Sequence, residues 1–139
     1  MDELVRDIMT KELLTISEKD TALKAAQVMS EKGVSSLIVL SDDQPIGIIT
    51  ERDFIKKVCL KELKLSSVKV GDMMSKIRTS ASPDTSIDVA VQRMVNNRIR
   101  RLPIIDNGKL VGIITVTDLA KHLRTILLLN SAVSHHSSQ

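Results

Sequence analysis

The sequence predicts an α/β (α+β) domain made of two copies of one β-α-β-β-α unit. The first observation is an internal repeat, since residues 5–57 align without a gap on residues 70–122. The second is the pattern within each copy, where short β-branched apolar runs alternate with segments of helical spacing. Strands that are apolar on both faces indicate small sheets covered by helices. The repeat is too long for a solenoid and too short for two self-sufficient domains, so we expect one domain with two similar halves.

Turn and capping residues separate the elements of the first half. Asp20 or Thr21 is a helix cap, Gly33 ends that helix, and residues 41–45 have the composition of a tight turn. A further helix starts after Thr50. The predicted elements are, in order, a leading segment at 5–10, a strand at 13–16, a helix to about Lys32, paired strands at 37–40 and 46–49, and a helix to about Leu63.

The second half repeats this order. Residues 106–109 have the turn composition that separates its two paired strands. The predicted elements are a strand near 79–81, a helix over 85–97, strands at 102–105 and 110–114, and a helix from 117 to about Leu128. The repeats therefore span 1–64 and 65–124, and 125–139 is a helix extension followed by a disordered, Ser-rich tail.

Composition limits the class of protein. With 139 residues, 42% of them hydrophobic, the chain can bury one ordinary core. It has no secretory signal or membrane-spanning run, so we expect a cytoplasmic protein, and the single cysteine agrees with that. A net charge of +3, one Phe and no Tyr or Trp argue against a dedicated nucleic-acid binder.

The best-matched part of the repeat is the run Gly-Ile-Ile-Thr-x-x-Asp, which occurs at 47–53 and at 112–118. The carboxylates of Asp53 and Asp118 could each accept two hydrogen bonds from the cis-diol of a ribose, and the glycines would let a ligand approach the strand closely. The structural alternative is a capping box, in which Thr caps the helix and the acid binds back to the chain. Both can hold, because a capped helix N-terminus also attracts anions.

These runs, together with the leading segments and the Arg-Arg-Leu-Pro-Ile-Ile-Asp stretch at 100–106, resemble a tandem pair of cystathionine β-synthase (CBS) domains, a stand-alone Bateman module. The resemblance covers residues 4–124. It implies two repeats related by a pseudo-two-fold axis, with two clefts between them. It also implies that these clefts bind adenosine compounds: AMP, ADP, ATP or S-adenosylmethionine.

By the same resemblance, each cleft combines the Thr-x-x-Asp of one half with residues of the other half. The first cleft would consist of Thr50, Arg52, Asp53, Ser82, Pro83, Ile87, Ile99, Arg100 and Arg101. The second would consist of Thr115, Thr117, Asp118, Ser17, Ala22, Val34, Ser35 and Ser36.

The two clefts differ in charge. Arg52, Arg100 and Arg101 could reach phosphates in the first, whereas hydroxyls such as that of Ser36 occupy the matching positions in the second. We therefore expect a phosphorylated nucleotide in the first cleft, and an uncharged or cationic adenosine compound, or nothing, in the second. The alternative for Arg100 and Arg101 is a solvated strand edge.

The leading hypothesis is a non-enzymatic regulatory sensor. No nucleophile has an evident partner, so we expect no catalytic residue, no metal site and no catalytic cofactor. The resemblance implies a homodimer, and a separate, unidentified target protein must be assumed. The alternatives are a nucleic-acid-associated protein, favoured by the pI of 9.1, and a structural dimerisation adaptor with empty clefts.

Overall fold

The computed structural model describes residues 3–137, and it describes side-chain burial as far as Ser131. The chain forms two compact units. Unit 1 takes the residues up to Lys11, Thr79–Asp106 and the residues from Val111 onward, and unit 2 takes Glu12–Arg78 and Asn107–Leu110. Each unit therefore holds most of one repeat together with the leading segment of the other.

Unit 2 contains a four-stranded sheet in the order β1-β2-β3-β4. Strand β1 is parallel to β2, because helix α1 carries the chain from one to the other, and the remaining pairs are antiparallel. The predicted paired strands are present, with Ile38 opposite Ile48. The elements are β1 (Thr15–Ser17), α1 (Ala22–Lys32), β2 (Ser36–Ser41), β3 (Gln44–Thr50) and β4 (Ser75–Lys76).

Helix α1 begins and ends at residues that the sequence indicated. The Thr21 hydroxyl accepts the backbone N–H of Lys24 at 3.2 Å, so Thr21 is the cap. Asp20 instead accepts the N–H of Ser17. At the other end Gly33 adopts a left-handed conformation with φ 65°, which glycine reaches without steric cost.

The second helix of unit 2 is shorter than predicted. Helix α2 (Glu51–Phe54) continues as one π-helical segment, Ile55–Cys59, and ends at Leu60 rather than at Leu63. The N–H of Leu60 bonds to the carbonyl of Ile55, five residues earlier, which is a wider turn than that of an α-helix. Glu62 has a φ of 54°, outside the range of a right-handed helix, so the helix cannot continue through it. A 3₁₀ turn (Leu65–Ser67) and the short helix α3 (Val70–Met73) follow.

Unit 1 repeats the plan with a hairpin of β5 and β6. The leading segment pairs with β6 through Thr10 and Ile113. The predicted strand at 79–81 is reduced to one parallel bridge between Ala81 and Ile104. The elements are a 3₁₀ turn (Val5–Asp7), α4 (Ile87–Asn97), β5 (Arg101–Asp106), β6 (Lys109–Thr115) and α5 (Val116–Ser137).

Both helices of unit 1 differ from prediction at one end. Helix α4 begins two residues later than expected because Ser86 is its cap, while the Thr85 hydroxyl accepts the N–H of Ser82. Helix α5 runs to Ser137, beyond the predicted end near Leu128 and into the segment expected to be a disordered tail. Its sequence contains no Gly or Pro that would stop a helix. Residues 138 and 139 lie outside the described part of the chain.

Each unit has its own apolar core beneath its sheet. In unit 2 the buried residues are Ile16, Ala22, Ala25, Met29, Leu37, Val39, Ile49, Val58, Val70 and Met73. In unit 1 they are Val5, Ala81, Ala90, Met94, Leu102, Ile104 and Ile114. The leading segments thus contribute Val5 to one core and Val70 and Met73 to the other. The predicted mixed α/β class, with small sheets and helices, is confirmed.

Candidate functional site

Asp53 is the acid of the first Gly-Ile-Ile-Thr-x-x-Asp run, and it lies where β3 meets α2. One of its oxygens, Oδ2, accepts the backbone N–H of Thr50 at 3.0 Å and the Thr50 hydroxyl at 3.3 Å. Its exposure is 6%, so this charged group is buried. The Thr and the acid therefore form the capping pair that the structural alternative predicted.

The other oxygen of Asp53, Oδ1, binds the leading segment of the second repeat. The Ser75 hydroxyl donates to it at 3.1 Å, and the Lys57 ammonium lies 3.3 Å away. Lys57 Nζ also donates to the carbonyls of Met73 and Met74, at 3.0 and 3.2 Å. We call Thr50, Asp53, Lys57 and Ser75 the Asp53 corner. Its carboxylate is neutralised and fully hydrogen-bonded, as a buried charge requires.

The corresponding residues of unit 1 form the Asp118 corner, defined as Thr10, Thr115, Asp118 and His122. Asp118 Oδ2 accepts the backbone N–H and the hydroxyl of Thr115, at 2.9 and 3.2 Å. The Thr10 hydroxyl donates to Asp118 Oδ1 at 3.0 Å. Asp118 is only half-buried. Thus the two corners repeat the same contact between carboxylate and leading segment.

The corners differ at the position that follows the acid by one helical turn. Lys57 in unit 2 corresponds to His122 in unit 1, and His122 Nε2 lies 2.7 Å from Glu3 Oε2 instead. The backbone carbonyl of Glu3 in turn accepts the N–H of Ile87 at the start of α4. The Lys57 ammonium therefore holds the carboxylate and the leading-segment carbonyls in unit 2, whereas the His122 imidazole faces Glu3, just before the leading segment, in unit 1.

The glycines of the two runs serve the leading segments rather than a ligand. A Cβ added to Gly47 would lie 2.4 Å from Met74 Sδ and 2.9 Å from the Ser75 carbonyl. A Cβ added to Gly112 would lie 2.6 Å from Met9 Sδ. The expectation that these glycines leave room for a ligand is therefore wrong, because a methionine already occupies that space.

The predicted cleft residues are divided between the units. Unit 2 contains Thr50, Arg52, Asp53, Ser17, Ala22, Val34, Ser35 and Ser36. Unit 1 contains Ser82, Pro83, Ile87, Ile99, Arg100, Arg101, Thr115, Thr117 and Asp118. The combinations across the units stay predictions.

Ser35 in unit 2 and Arg100 in unit 1 occupy matching positions just before β2 and β5, and the backbone of each bonds to the residue that follows the Thr of its corner. The carbonyl of Ser35 accepts the N–H of Glu51 at 3.3 Å, beside the Asp53 corner. The carbonyl of Arg100 accepts the N–H of Val116 at 3.2 Å, beside the Asp118 corner. The Arg100 side chain is exposed.

Some other predicted residues have structural roles. Ala22 is fully buried in the unit 2 core. The Ser82 hydroxyl lies 3.2 Å from that of Thr85, and the Pro83 carbonyl accepts the N–H of Arg6.

Two cavities lie within unit 2. One of about 330 Å³ includes Ser17 among its lining residues, together with Asp20, Asp42 and Asp43. The other, of about 660 Å³, adjoins Val34 and Ser35 and is lined also by Met29, Gly33, Glu51 and Phe54. Sequence reasoning missed Phe54, although it is the one aromatic residue of the chain.

Sequence reasoning also missed the contacts of Thr10, Ser75, Lys57 and the two leading-segment methionines. The signal was present, since Met9 and Met74 are identical in the aligned repeats. Among residues 3–131, whose side chains the structure describes, no three His, Cys, Asp or Glu side chains are grouped so as to hold a metal ion. Over the same residues, no helix combines the length and apolar character needed to cross a membrane.

Comparison with known proteins identifies the repeats. The family model of the CBS domain matches residues 5–59 and 70–125. The uncharacterized protein MK0525 of Methanopyrus kandleri is 39% identical over 117 residues; the match covers 83% of this chain and 60% of that protein, less than two thirds of its length. The CBS domain-containing protein YhcV of Bacillus subtilis is 32% identical over 135 residues, covering 97% of this chain and 96% of that protein.

An enzyme matches over a minor part of its length. Inosine-5'-monophosphate dehydrogenase of Methanocaldococcus jannaschii is 36% identical over 117 residues, which cover 83% of this chain and 22% of the enzyme. The region that matches this chain is thus a minor part of that enzyme. Stand-alone CBS proteins are generally regulatory rather than catalytic.

Solved structures share the fold. A putative signal-transduction protein with CBS domains from Burkholderia ambifaria has a TM-score of 0.79 and 32% identity, covering 87% of this chain and 93% of that one. The CBS domain pair of MJ0100, solved with 5-methylthioadenosine and S-adenosylmethionine, has a TM-score of 0.79 and 22% identity, covering 90% and 98%. CBS pairs are regulatory ligand-binding modules. This chain, with two matched repeats that span most of its length, belongs to the CBS domain family.

Proposed function

We propose that this protein is a non-enzymatic sensor that binds an adenosine compound, namely AMP, ADP, ATP or S-adenosylmethionine. The observation that carries the proposal is the pair of carboxylates, Asp53 and Asp118, that already accept hydroxyl hydrogens at 3.0–3.3 Å. A ribose diol likewise offers two hydroxyl donors to a carboxylate. The fold is known to accept such compounds in the MJ0100 domain pair, which was solved with two of them.

The Asp118 corner is the better candidate for the first ligand. Asp118 is half-buried, whereas Asp53 is 6% exposed and lies beside Lys57. An incoming ribose hydroxyl at Asp118 replaces one neutral donor, Thr10, and leaves the two bonds to Thr115 in place. Replacement at Asp53 has to occur in a buried site, where any unpaired group is costly.

The arginines are the proposed phosphate contacts. Arg52 and Arg100 are exposed, and Arg101 is half-buried at the start of β5. In the cleft that joins them to Thr50 and Asp53 of the other repeat, they would provide bidentate donors for a nucleotide. The second cleft, with Ser17, Ser35 and Ser36, suits an adenosine compound without phosphate.

The sensor acts on a separate target and forms a homodimer in this proposal. Leu123 and Leu127, four residues apart on one face of α5, are 56% and 58% exposed. An exposed apolar stripe of this kind is typical of a surface that a second chain covers. Binding regulates the target if the ligand prefers one of two states of the module.

The experiment that tests the proposal uses the weak intrinsic absorbance of the chain. Because it has no Trp or Tyr, a band at about 260 nm in the purified protein reports a co-purified base rather than the protein. Mass spectrometry of the released compound then names it. Calorimetric titration with AMP, ATP and S-adenosylmethionine follows on protein stripped of ligand.

Matched variants locate the site. Arg100→Ala should weaken AMP binding by roughly ten-fold or more through loss of a charged hydrogen bond, whereas Arg124→Ala removes the same charge from an exposed position of α5 and should not. Equal losses in both variants would indicate general charge attraction. Release of nucleic acid would favour the nucleic-acid-associated alternative, and no binding at all would favour the structural adaptor.

A further inference from the structure

Each leading segment occupies a carboxylate oxygen that the proposed ligand would use. Oδ2 of Asp53 and of Asp118 is committed to the local Thr, through both its N–H and its hydroxyl. Oδ1 is bound by Ser75 in one case and by Thr10 in the other. A ribose that binds either acid must therefore share or displace the leading-segment hydroxyl, because that oxygen has few remaining acceptor positions.

We propose that the hydroxyls of Thr10 and Ser75 are built-in competitors of the ligand, so that binding at Asp118 or Asp53 releases the corresponding leading segment. This inference rests on the proposed function and names how the same site is regulated. The two corners respond unequally. The Asp118 corner exchanges its hydroxyl for ligand first, and the Asp53 corner holds its segment more firmly.

The inequality follows from the residue one helical turn after each acid. Lys57 binds Asp53 and also the carbonyls of Met73 and Met74, so a single charged group ties the leading segment to α2 independently of Ser75. Hydrogen bonds from a charged donor are about twice as strong as neutral ones. His122 is directed to Glu3 instead, which leaves Thr10 as the side-chain contact between Asp118 and its segment.

Release of a leading segment matters because the chain passes from one unit to the other just after that segment. The residues after Thr10 and Lys11 belong to unit 2 from Glu12, and the residues after Ser75 pass to unit 1 at Thr79. Both hydroxyls therefore lie within a few residues of a point where the chain changes unit. Freeing either one loosens the backbone at such a crossing, which is where a two-state module can absorb a change in dihedral angles.

Hydrogen exchange followed residue by residue reads each segment separately. The Thr10 amide bonds to the Ile113 carbonyl, and the Ile77 amide bonds to the Ile46 carbonyl just beyond Ser75. We expect saturation with S-adenosylmethionine, which lacks phosphate and suits the cleft of Asp118, to accelerate exchange at Thr10 several-fold and to leave Ile77 nearly unchanged, with binding confirmed by calorimetry on the same sample. AMP serves as the second probe.

One substitution tests the competing hydroxyl of Thr10, and a pair of substitutions tests the tether at Lys57. Thr10→Val removes the hydroxyl at constant volume and should increase the affinity for S-adenosylmethionine by roughly five-fold, as expected for a lost competing hydrogen bond. The exchange of the two side chains, by His122→Lys and Lys57→His, needs no ligand. His122→Lys should slow exchange at Thr10, and Lys57→His should accelerate it at Ile77.

The outcomes are distinguishable. If S-adenosylmethionine binds but neither Thr10→Val changes its affinity nor saturation changes the exchange rate at Thr10, the competition is overturned and the sensor function stands. If neither probe binds, the sensor function fails. In that case, unchanged hydrogen exchange in both His122→Lys and Lys57→His also overturns the proposed difference between the two corners. Slower exchange at Thr10 in the first variant and faster exchange at Ile77 in the second support that difference.

Discussion

The Ser75 hydroxyl lies 3.1 Å from the Asp53 carboxylate, and this contact joins the leading segment of the second repeat to the sheet of the first. Thr10 and Asp118 repeat it at 3.0 Å. Each acid is thus a structural acceptor for a leading segment. Under the proposed function, a ligand hydroxyl would have to share or replace this contact.

Asp53→Asn should destabilise the protein more than Asp118→Asn. Loss of the negative charge leaves Lys57 half-buried without its anion, so we expect a cost of about 2–3 kcal/mol in the free energy of unfolding. Asp118→Asn should cost about 1 kcal/mol, because its donors are neutral. Urea denaturation measures both. Equal costs would show that Lys57 does not depend on Asp53.

Gly47→Ala should destabilise unit 2 by about 2 kcal/mol or more, because the new methyl group meets both a side chain and a backbone carbonyl. Adding Met74→Ala to this variant removes the 2.4 Å contact but not the 2.9 Å contact with the Ser75 carbonyl. The double variant should therefore recover only part of the loss. Full recovery would mean that the backbone moves freely there.

Arg98→Gly should stabilise the protein by about 0.5–1 kcal/mol. Arg98 ends α4 in a left-handed conformation with φ 53°, where the first repeat has Gly33. Glycine adopts this conformation without the steric cost that a side chain incurs. Thermal unfolding measures the change, and Gly33→Ala is the inverse control, expected to lower stability by a similar amount because its φ is 65° and no atom lies in the way.

Thr21→Ala and Ser86→Ala should each cost about 1 kcal/mol, since each hydroxyl accepts a backbone N–H in the first turn of its helix. Thr21→Ser and Ser86→Thr keep the acceptor and should cost less than half as much. Chemical denaturation at one protein concentration checks all four. A loss in the conservative variants as large as in the alanine variants would point to packing instead of capping.

Leu127→Lys should convert a homodimer to a monomer, because it places a charge in the centre of the exposed apolar stripe of α5. Thr125→Lys adds the same charge on another face of the helix, where the exposed Thr125 hydroxyl donates to the Lys121 carbonyl. Sedimentation equilibrium should distinguish the two variants. A dimer that survives both substitutions would exclude this face as the interface.

The sequence predicted the elements whose signals are local. Gly33, the 41–45 turn and the cap at Thr21 mark boundaries with their own chemistry, and the paired strands follow from them. The predicted ends of helices and strands were less accurate where they depend on tertiary contacts. The π-helical end of α2 has no sequence marker, and the bridge at Ala81 is shorter than its apolar character suggested.

The site could be predicted only as far as its residue types. Thr50 and Asp53 were identified as a pair, with both a capping and a ligand role. What could not be predicted is the partner that Asp53 meets, because Ser75 is brought there by strand pairing between β3 and β4 rather than by sequence spacing. The contact of Gly47 with Met74 could not be predicted either, because Met74 is distant from Gly47 in the sequence. The glycine was therefore interpreted as room for a ligand.

The exchange of leading segments between the units bears on how such a protein can arise. A chain encoding one repeat would carry its leading segment ahead of a sheet that another copy has to complete. Two such chains would meet that need by trading segments, as in a domain-swapped pair, and joining them end to end would retain every contact while removing the dependence on concentration. The two repeats of this chain correspond in this respect to the two chains of a domain-swapped dimer. Cleavage between the repeats should therefore yield two fragments that refold only together.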